Sequence, residues 1–204
     1  MKRIVDLALA VVALAAVLVP MGLVALLVRV TSRGPVLYWS DRVGRRNQIF
    51  RMPKFRTMRT DAPEVAAHLL ADPRSWMTPI GNLLRRTSLD ELPQIWSILK
   101  GDMSFVGPRP ALFNQYDLIA LRTEYNVHEL TPGLTGWALI NGRNELTNLE
   151  KVEFDAWYAR HQSTWLDLKI VVATFGKTIH CPNVTCGGNC SVADSTAVPG
   201  TKAA

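Results

Sequence analysis

Several motifs that mark common enzyme classes are absent from this sequence of 204 residues. It contains no P-loop, no G-x-G-x-x-G dinucleotide fingerprint, no H-E-x-x-H zinc helix and no G-x-S-x-G nucleophile elbow. Its four histidines show no metal-ligand spacing. The chain therefore lacks the usual signatures of P-loop nucleotide hydrolases, dinucleotide-dependent enzymes, zinc peptidases and serine esterases.

Cysteine is also scarce. The three cysteines, Cys181, Cys186 and Cys190, all follow His180, and their C-x4-C-x3-C spacing matches no standard zinc pattern. The residues around them are rich in Gly, Ser, Thr, Pro and Asn and include almost no large apolar side chain. This composition predicts a disordered tail over residues 181–204.

The charge balance restricts the partners of the chain. The net charge is +6 and the isoelectric point is about 9.5, which suits an anionic membrane surface, a phosphate-rich ligand or nucleic acid. No recognised nucleic-acid-binding module is present, and the apolar N-terminus argues against such a role. We therefore expect a membrane or a phosphate ligand, and no nucleic acid.

A long apolar segment lies near the start of the chain. The stretch from Leu7 to Val28 carries no charge, and as a straight helix it would reach roughly 33 Å, enough to cross a bilayer core. Pro20 and Gly22 interrupt the stretch, and a proline inside a helix removes a backbone hydrogen bond and kinks the helix. Basic residues flank the stretch on both sides: Lys2 and Arg3, then Arg29, Arg33, Arg42, Arg45, Arg46 and Arg51.

These flanking charges leave the topology of the segment open. Lys and Arg normally collect on the cytoplasmic side of a spanning helix, so both flanks favour the cytoplasm. A helix–break–helix that turns near Pro20 and returns to the same face satisfies this pattern, and a single kinked spanning helix is the alternative. A signal peptide is a third interpretation, but its apolar region would be only about 7–15 residues long and would precede an A-x-A-like site, which is absent here.

The rest of the chain predicts an α+β fold, with a helix-rich domain that contains a small β-hairpin. Val36–Trp39 is β-branched and aromatic, and residues 48–58 alternate apolar and basic side chains, so these two segments are predicted to pair. The segment between them, Asp41–Arg46, contains a glycine and is predicted to be a turn.

Five segments have helical patterns: residues 63–71, 88–100, 111–125, 150–161 and 165–179. The last two are predicted to be amphipathic helices at the membrane interface. Residues 107–110 are predicted to be a rigid loop because they contain two prolines, and residues 131–136 and 141–144 are predicted to be loops or turns. The predicted organisation is a membrane segment over 1–33, a catalytic domain over 34–180 and the tail.

Asp90 and Glu91 stand together at the start of a predicted helix. Adjacent carboxylates can serve as a nucleophile, as metal ligands or as a general acid and base. A helix N-terminus favours an ionised carboxylate and also a phosphate. A structural explanation competes with these roles, because Ser88-x-x-Glu91 fits a capping box in which Glu91 closes back on the Ser88 backbone. The pattern alone leaves both interpretations open.

Arg109 lies between Pro108 and Pro110. Its planar guanidinium matches phosphate oxygens, and a proline-locked loop would hold it in place at little entropic cost on binding. A surface arginine in a structural turn is the alternative. Four more basic residues lie in or beside turns and helix ends and are weaker candidates for phosphate contact: Lys54, Arg56, Arg85 and Arg143.

With these motifs taken in order, residues 3–178 resemble the bacterial sugar transferase family, the small monotopic phosphoglycosyl transferases. Beyond the apolar segment with its proline, the resemblance rests on eight blocks: SRGPV (32–36), RVG (42–44), KFRTM (54–58), RRTSLDELPQ (85–94), GDMSFVGPRP (101–110), PGLTG (132–136), NGRN (141–144) and LDLKI (166–170). The two blocks over 85–94 and 101–110 are highly specific in combination.

The resemblance implies an enzyme that moves a sugar phosphate from a UDP-sugar to a polyprenyl phosphate such as undecaprenyl phosphate and releases UMP. This would be the first membrane step of a polysaccharide, glycan or glycoprotein pathway. Asp90 would attack the β-phosphate and form a covalent intermediate, and Asp90 and Glu91 would hold Mg²⁺. The basic residues that would face substrate phosphates are Lys54, Arg56, Arg85, Arg109 and Arg143. Pro108 and Pro110 would complete the set of substrate-binding residues. Nothing in the sequence identifies the sugar.

The resemblance also implies a re-entrant membrane segment, which would seat the enzyme on the cytoplasmic face of the bacterial inner membrane. A homodimer is compatible with this arrangement. Close relatives often carry Ser before the break proline, whereas this chain carries Val19, so Pro20 and Gly22 would have to form the turn alone. Two alternatives from other classes are a membrane-anchored binding module without turnover and a single-pass protein with its domain outside the cell.

Overall fold

The computed structural model describes residues 2–62, 72, 75–142 and 146–180, with side chains up to Thr174. The α-helices within these residues are α1 (Lys2–Thr31), α2 (Gly81–Arg86), α3 (Ile95–Lys100), α4 (Tyr116–Glu124), α5 (Trp137–Asn141), α6 (Asn148–His161) and α7 (Thr164–His180). The strands are β1 (Leu37–Val43), β2 (Ile49–Phe55), β3 (Ser104–Val106), β4 (Ala111–Leu112) and β5 (Gly133–Thr135). Short 3₁₀ turns cover Arg45–Asn47, Leu89–Gln94 and Val127–Glu129. This mixture confirms the α+β class.

One face of α1 packs against the domain along most of the helix. Ala10 is buried in a cluster with Ile98 of α3, and Val28 is buried in a second cluster with Leu84 of α2. The α1 side chains in these clusters recur every three or four positions, as on one helix face: Ala10, Leu14, Val17, Met21, Val24 and Val28. The helix continues through Pro20, so the break predicted there is not seen in the structure.

The opposite face of α1 is apolar and exposed. It includes Val12, Val19, Leu23, Leu26 and Val30. The helix is long and apolar enough to cross a membrane by length and composition. A continuous exposed apolar surface of this kind marks a site of contact with lipid or another apolar partner, so α1 indicates membrane association.

The predicted hairpin is present as the antiparallel pair β1 and β2, in the register Leu37↔Phe55 to Val43↔Ile49. The turn predicted over residues 41–46 is wrong for its first half, because β1 continues to Val43 and also pairs there with β4. β2 is an edge strand, and such a strand tolerates the missing N–H of Pro53.

A second sheet was not predicted. β3 and β5 form a parallel pair in which Ser104 faces Gly133 and Val106 faces Thr135. A Cβ atom added to Gly133 would lie 2.1 Å from the backbone nitrogen of Gly107, so glycine is required at this crossing. The loop predicted over residues 131–136 is therefore wrong at its centre, where β5 forms.

The helix predicted over residues 111–125 begins later than expected, at Tyr116, because Ala111 and Leu112 join β1 as β4. The helix predicted to end at Lys100 does end there, and Gly101 follows it with a φ of 105°. α6 and α7 confirm the two helices predicted near the C-terminus. The predicted helix over 63–71 and the predicted tail lie outside the described residues.

Candidate active site

Asp90 and Glu91 lie in the 3₁₀ turn Leu89–Gln94, which packs against β2 and leads directly into α3. Ser88 precedes the turn with a φ of 56°, and its side chain makes no capping hydrogen bond. The Glu91 carboxylate is bound by two cations instead of the Ser88 backbone. The capping box predicted for Ser88 and Glu91 is therefore wrong, and Glu91 is available to a functional site.

Glu91 joins two basic residues from distant parts of the chain. Its Oε1 atom accepts hydrogen bonds from Lys54 Nζ at 3.2 Å and from Arg109 Nη2 at 2.7 Å. Burial alone would raise the pKa of Glu91, but Arg109 and Lys54 together hold that pKa well below its usual range. Glu91 is thus a fixed negative charge, and the structure brings two other predicted site residues, Lys54 and Arg109, into contact with it.

Asp90 has a different environment, although it is the next residue. It is 8% exposed, and burial, with a further contribution from the charge of Glu91, raises its pKa to about 6. The charges of Lys54, Arg85 and Arg109 oppose this shift. In the described part of the chain, Asp90 takes part in no ion pair within 4.0 Å. A carboxylate that is more basic than usual and is not held by a cation is suited to nucleophilic attack.

The positive charge around the two carboxylates comes from several elements. Lys54 lies on β2, and burial lowers its pKa while Glu91 opposes the shift. Arg42 lies on β1, where burial and the neighbouring charge of Arg109 lower its pKa to about 10. Arg42 was not predicted as a site residue, although the sequence analysis placed it in the RVG block and among the basic residues that follow the apolar segment. Crowded, desolvated cations of this kind are suited to bind phosphate oxygens.

The loop that carries Arg109 is held through its carbonyl groups. Pro108 O accepts from the backbone N–H of Gly133 at 2.9 Å. Arg109 O accepts from Arg122 Nη1 at 2.7 Å, and Pro110 O accepts from Arg42 Nη1 at 3.3 Å. Three consecutive carbonyls therefore accept from three separate donors. The predicted loop is present, and these contacts support its predicted rigidity.

The remaining predicted site residues are placed differently. Arg85 donates from Nε to Thr57 Oγ1 at 2.9 Å, and burial lowers its pKa while the nearby charge of Asp90 opposes that shift. Arg56 is buried, and its guanidinium donates to the carbonyls of Ser32 and Arg33 just after α1, so the structure does not bring it to Glu91. Arg143 lies outside the described residues. Substrate contacts by Arg56 and Arg143 stay predictions.

The magnesium ion predicted at Asp90 and Glu91 stays a prediction, and these two carboxylates are the residues that would hold it. In the described ranges, no group of three or more His, Cys, Asp or Glu side chains is placed to hold a metal. Mg²⁺ commonly uses only one or two carboxylates and completes its shell with water and substrate phosphates. The two adjacent carboxylates supply hard oxygen ligands of that kind.

Comparison with known proteins decides the family. The family model described as bacterial sugar transferase matches residues 1–181. The chain belongs to the bacterial sugar transferase family. All of the site residues described above lie within the matched range, so the resemblance predicted from the motif blocks is confirmed.

Members of this sugar transferase family that resemble the chain differ in length. The uncharacterized sugar transferase EpsL of Bacillus subtilis (strain 168) is 41% identical over 181 residues, which cover 88% of this chain and 87% of EpsL. The UDP-glucose:undecaprenyl-phosphate glucose-1-phosphate transferase of Escherichia coli (strain K12) is 42% identical over 186 residues, 87% of this chain and 40% of that protein. The undecaprenyl-phosphate glucose phosphotransferase of Komagataeibacter xylinus is 40% identical over 195 residues, 89% of this chain and 36% of that protein. The chain thus spans about two fifths of these two longer relatives.

Proposed function

We propose that this sugar transferase moves a sugar 1-phosphate from a UDP-sugar to undecaprenyl phosphate or a related polyprenyl phosphate, as a step of polysaccharide biosynthesis. The names of the Escherichia coli and Komagataeibacter xylinus relatives support this substrate pair. The observation that carries the mechanism is the unequal state of two adjacent carboxylates. Glu91 is bound by two cations, whereas Asp90 has a raised pKa and no ion pair with any described residue.

In the proposed reaction, a carboxylate oxygen of Asp90 attacks the β-phosphorus of the UDP-sugar. The bond between that phosphorus and the oxygen bridging to the α-phosphate breaks, and UMP leaves with the electron pair. The sugar phosphate is then held as an acyl phosphate on Asp90. A phosphate oxygen of the polyprenyl phosphate attacks the same phosphorus, and the Asp90 carboxylate leaves as the polyprenyl diphosphate sugar forms.

The basic residues supply the charge that this reaction requires. A diphosphate would repel the Asp90 carboxylate unless its own charge were offset. We propose that Lys54 and Arg109, with Arg42 and Arg85 close by, bind the phosphate oxygens as charge develops on the leaving UMP. Glu91, together with Asp90, would hold Mg²⁺, which supplies further neutralisation of the diphosphate when bound.

A covalent intermediate also resolves the different solubility of the two substrates. The UDP-sugar is dissolved in the cytosol, whereas the lipid phosphate stays in the bilayer. If the sugar phosphate waits on Asp90, the two substrates can use one site in turn and need not be bound together. The site then has to lie at the membrane surface. The exposed apolar face of α1 supports this location, because it can enter the bilayer beside the domain.

We further propose that α1 enters the inner membrane from the cytoplasmic face without crossing it, although the helix is continuous through Pro20, so that both of its ends lie on that face. At its start, Arg3 donates to the backbone carbonyls of Ile98 and Leu99 at the end of α3. Asp6 is buried there and accepts from the Phe105 N–H at 3.3 Å. Contacts to α3 and β3 hold the N-terminal end of α1 on the domain.

The C-terminal end of α1 is held on the same domain. Arg56 of the segment following β2 donates to Ser32 and Arg33, and Val28 packs against Leu84. A helix of this length that crossed the bilayer would place its two ends on opposite sides. Contacts of both ends with one domain therefore support a monotopic arrangement, in which the exposed face of α1 enters one leaflet.

The test is release of UMP from a panel of UDP-sugars by the purified chain in detergent with undecaprenyl phosphate and Mg²⁺. Without the lipid, the chain should gain the mass of one sugar phosphate. Asp90→Asn should abolish both signals, and Asp117→Asn, at an exposed position on α4, is the matched control that should retain them.

Each outcome of this test has a definite meaning. Binding of UDP-sugar without UMP release from any member of the panel would favour the binding-module alternative and overturn the proposed function. Turnover by Asp90→Asn near the rate of the unmodified chain would overturn the role of Asp90 while leaving the reaction in place.

A further inference from the structure

Arg122 and Asp155 form a buried ion pair, and neither residue was predicted to belong to the site. Arg122 lies on α4 and Asp155 on α6, and Nη2 of the arginine donates to Oδ2 of the aspartate at 2.8 Å. Their side chains are 12% and 2% exposed. An ion pair this deeply buried pays a large desolvation cost and is weak evidence of a stabilising role alone.

The same guanidinium also contacts the loop that carries Arg109. While Nη2 contacts Asp155, Nη1 of Arg122 donates to the backbone carbonyl of Arg109 at 2.7 Å. Asp155 thus fixes one edge of the guanidinium and leaves the other edge directed at the residue whose side chain binds Glu91. A planar fork can make both contacts at once, whereas a lysine ammonium at this position would be a single point charge.

Among the described residues, no backbone N–H donates to the Arg109 carbonyl, which Arg122 binds. Pro108 and Pro110 have no N–H group, so the loop has few donors with which to fix itself. A small cavity of about 20 Å³, lined by Arg122, Pro108 and His128 among others, lies behind the loop. Because the packing there is incomplete, the position of Arg109 depends on the hydrogen bonds to its backbone.

Both Arg122 Nε and His128 Nδ1 are buried without a hydrogen-bond partner among the described residues. Both residues line this cavity, which is large enough for a single water molecule. The Nε atom of Arg122 is therefore left without a hydrogen bond to any described residue. The two contacts that are satisfied are those to Asp155 and to the Arg109 carbonyl.

We propose that Arg122, oriented by Asp155, is a positioning residue that sets the place of the Arg109 guanidinium beside the Glu91 carboxylate. This inference rests on the proposed function, because it assigns Arg109 to the phosphates. Through this ion pair, the packing of α4 against α6 determines the position of the loop that carries Arg109. Arg122 itself touches no reacting group.

The test is a double-mutant cycle on kcat/KM for UMP release, with Arg122→Lys and Arg109→Ala made singly and together. Arg122→Lys should lower kcat/KM about tenfold in the chain with Arg109. In the Arg109→Ala background the same change should have an effect of less than about twofold, since the residue through which it acts is gone. Arg46→Lys, whose side chain is 65% exposed and pairs with Glu129, is the matched control and should leave kcat/KM unchanged.

A merely structural role would give another result. Loss of folded protein would lower kcat/KM by the same factor in both backgrounds, and this result would overturn the proposal. Asp155→Asn provides an independent variant that keeps the side-chain shape: it should reproduce the loss seen with Arg122→Lys, and the two losses should not multiply. An active chain that is insensitive to Arg122→Lys and Asp155→Asn would refute the positioning role alone, whereas a chain without UMP release would refute the proposed function itself.

Discussion

Replacement of the proposed nucleophile should stabilise the protein while it removes the activity. Burial and the charge of Glu91 raise the pKa of Asp90 from its model-compound value of 3.8 to about 6. The folded state therefore disfavours the ionised form of Asp90 relative to the unfolded chain. Asp90→Asn keeps nearly the same shape but carries no charge, so it removes this penalty.

The magnitude follows from the shift in pKa. A difference of about two units, at 1.36 kcal/mol per unit, corresponds to an upper bound of about 3 kcal/mol in the free energy of unfolding. The penalty is complete above the folded-state pKa of about 6, declines as the pH falls from 6 towards 4, and vanishes below the unfolded-state pKa. Asp90→Asn should thus raise the Tm most at pH 8, by roughly 5–10 °C, and hardly at all near pH 4.

The assay is thermal unfolding of both proteins in the same detergent at pH 8, 6 and 4, with turnover measured in parallel. Glu91→Gln is the matched control because it changes the adjacent carboxylate in the same turn. It should lower the Tm, since it leaves Lys54 and Arg109 without the partner that holds the pKa of Glu91 below its usual range. If Asp90→Asn lowered the Tm at pH 8, or if the difference did not change with pH, the electrostatic description of the site would be refuted.

Three further outcomes are expected. The rate of adduct formation without lipid should fall about tenfold per pH unit below about 6, because protonated Asp90 is not a nucleophile, and a rate independent of pH would contradict this role. Arg109→Lys should lower kcat/KM for UMP release by a factor that corresponds to about 1–3 kcal/mol, since lysine lacks the fork, and an unchanged value would return Arg109 to a structural role. In a chain freed of its native cysteines, single cysteines near residues 2 and 60 should both be labelled from the cytoplasmic side, because both ends of α1 contact the same domain. Labelling of residue 2 only from outside would end the proposal that both ends lie on the cytoplasmic face.

The elements that sequence patterns predicted correctly are those whose burial follows a local period. α6, α7 and the β1–β2 hairpin each show such a period, and their existence and type are confirmed. The parallel pair β3–β5 was missed because its strands are three residues long and lie far apart in the chain. The pairing brings Gly133 close to the backbone of Gly107. A glycine in a sequence does not show which backbone segment will approach it.

The N-terminal segment shows a different limit. Its length and the charge at both ends were evident from the sequence, and a break at Pro20 was the natural consequence of the rule that proline disrupts helices. In the structure α1 is helical across Pro20 and packs along the domain on both sides of it. Tertiary packing on one face can support a helix through the loss of one hydrogen bond, and a local rule cannot include that contribution.

The candidate site was predictable in part. The residue pattern placed Asp90 beside Glu91 and left a helix cap as the competing explanation, the resemblance implied that Asp90 is the nucleophile, and Arg42 was missed. The two carboxylates differ because only Glu91 is bound by cations. Lys54 of the hairpin and Arg109 of the loop between the two prolines both donate to it. Without these cations, two neighbouring carboxylates in a buried turn would repel each other, and each would raise the pKa of the other. The fold neutralises Glu91 and leaves Asp90 basic and without an ion pair among the described residues, and these contacts between residues that are remote in sequence support the proposal that Asp90 is the nucleophile.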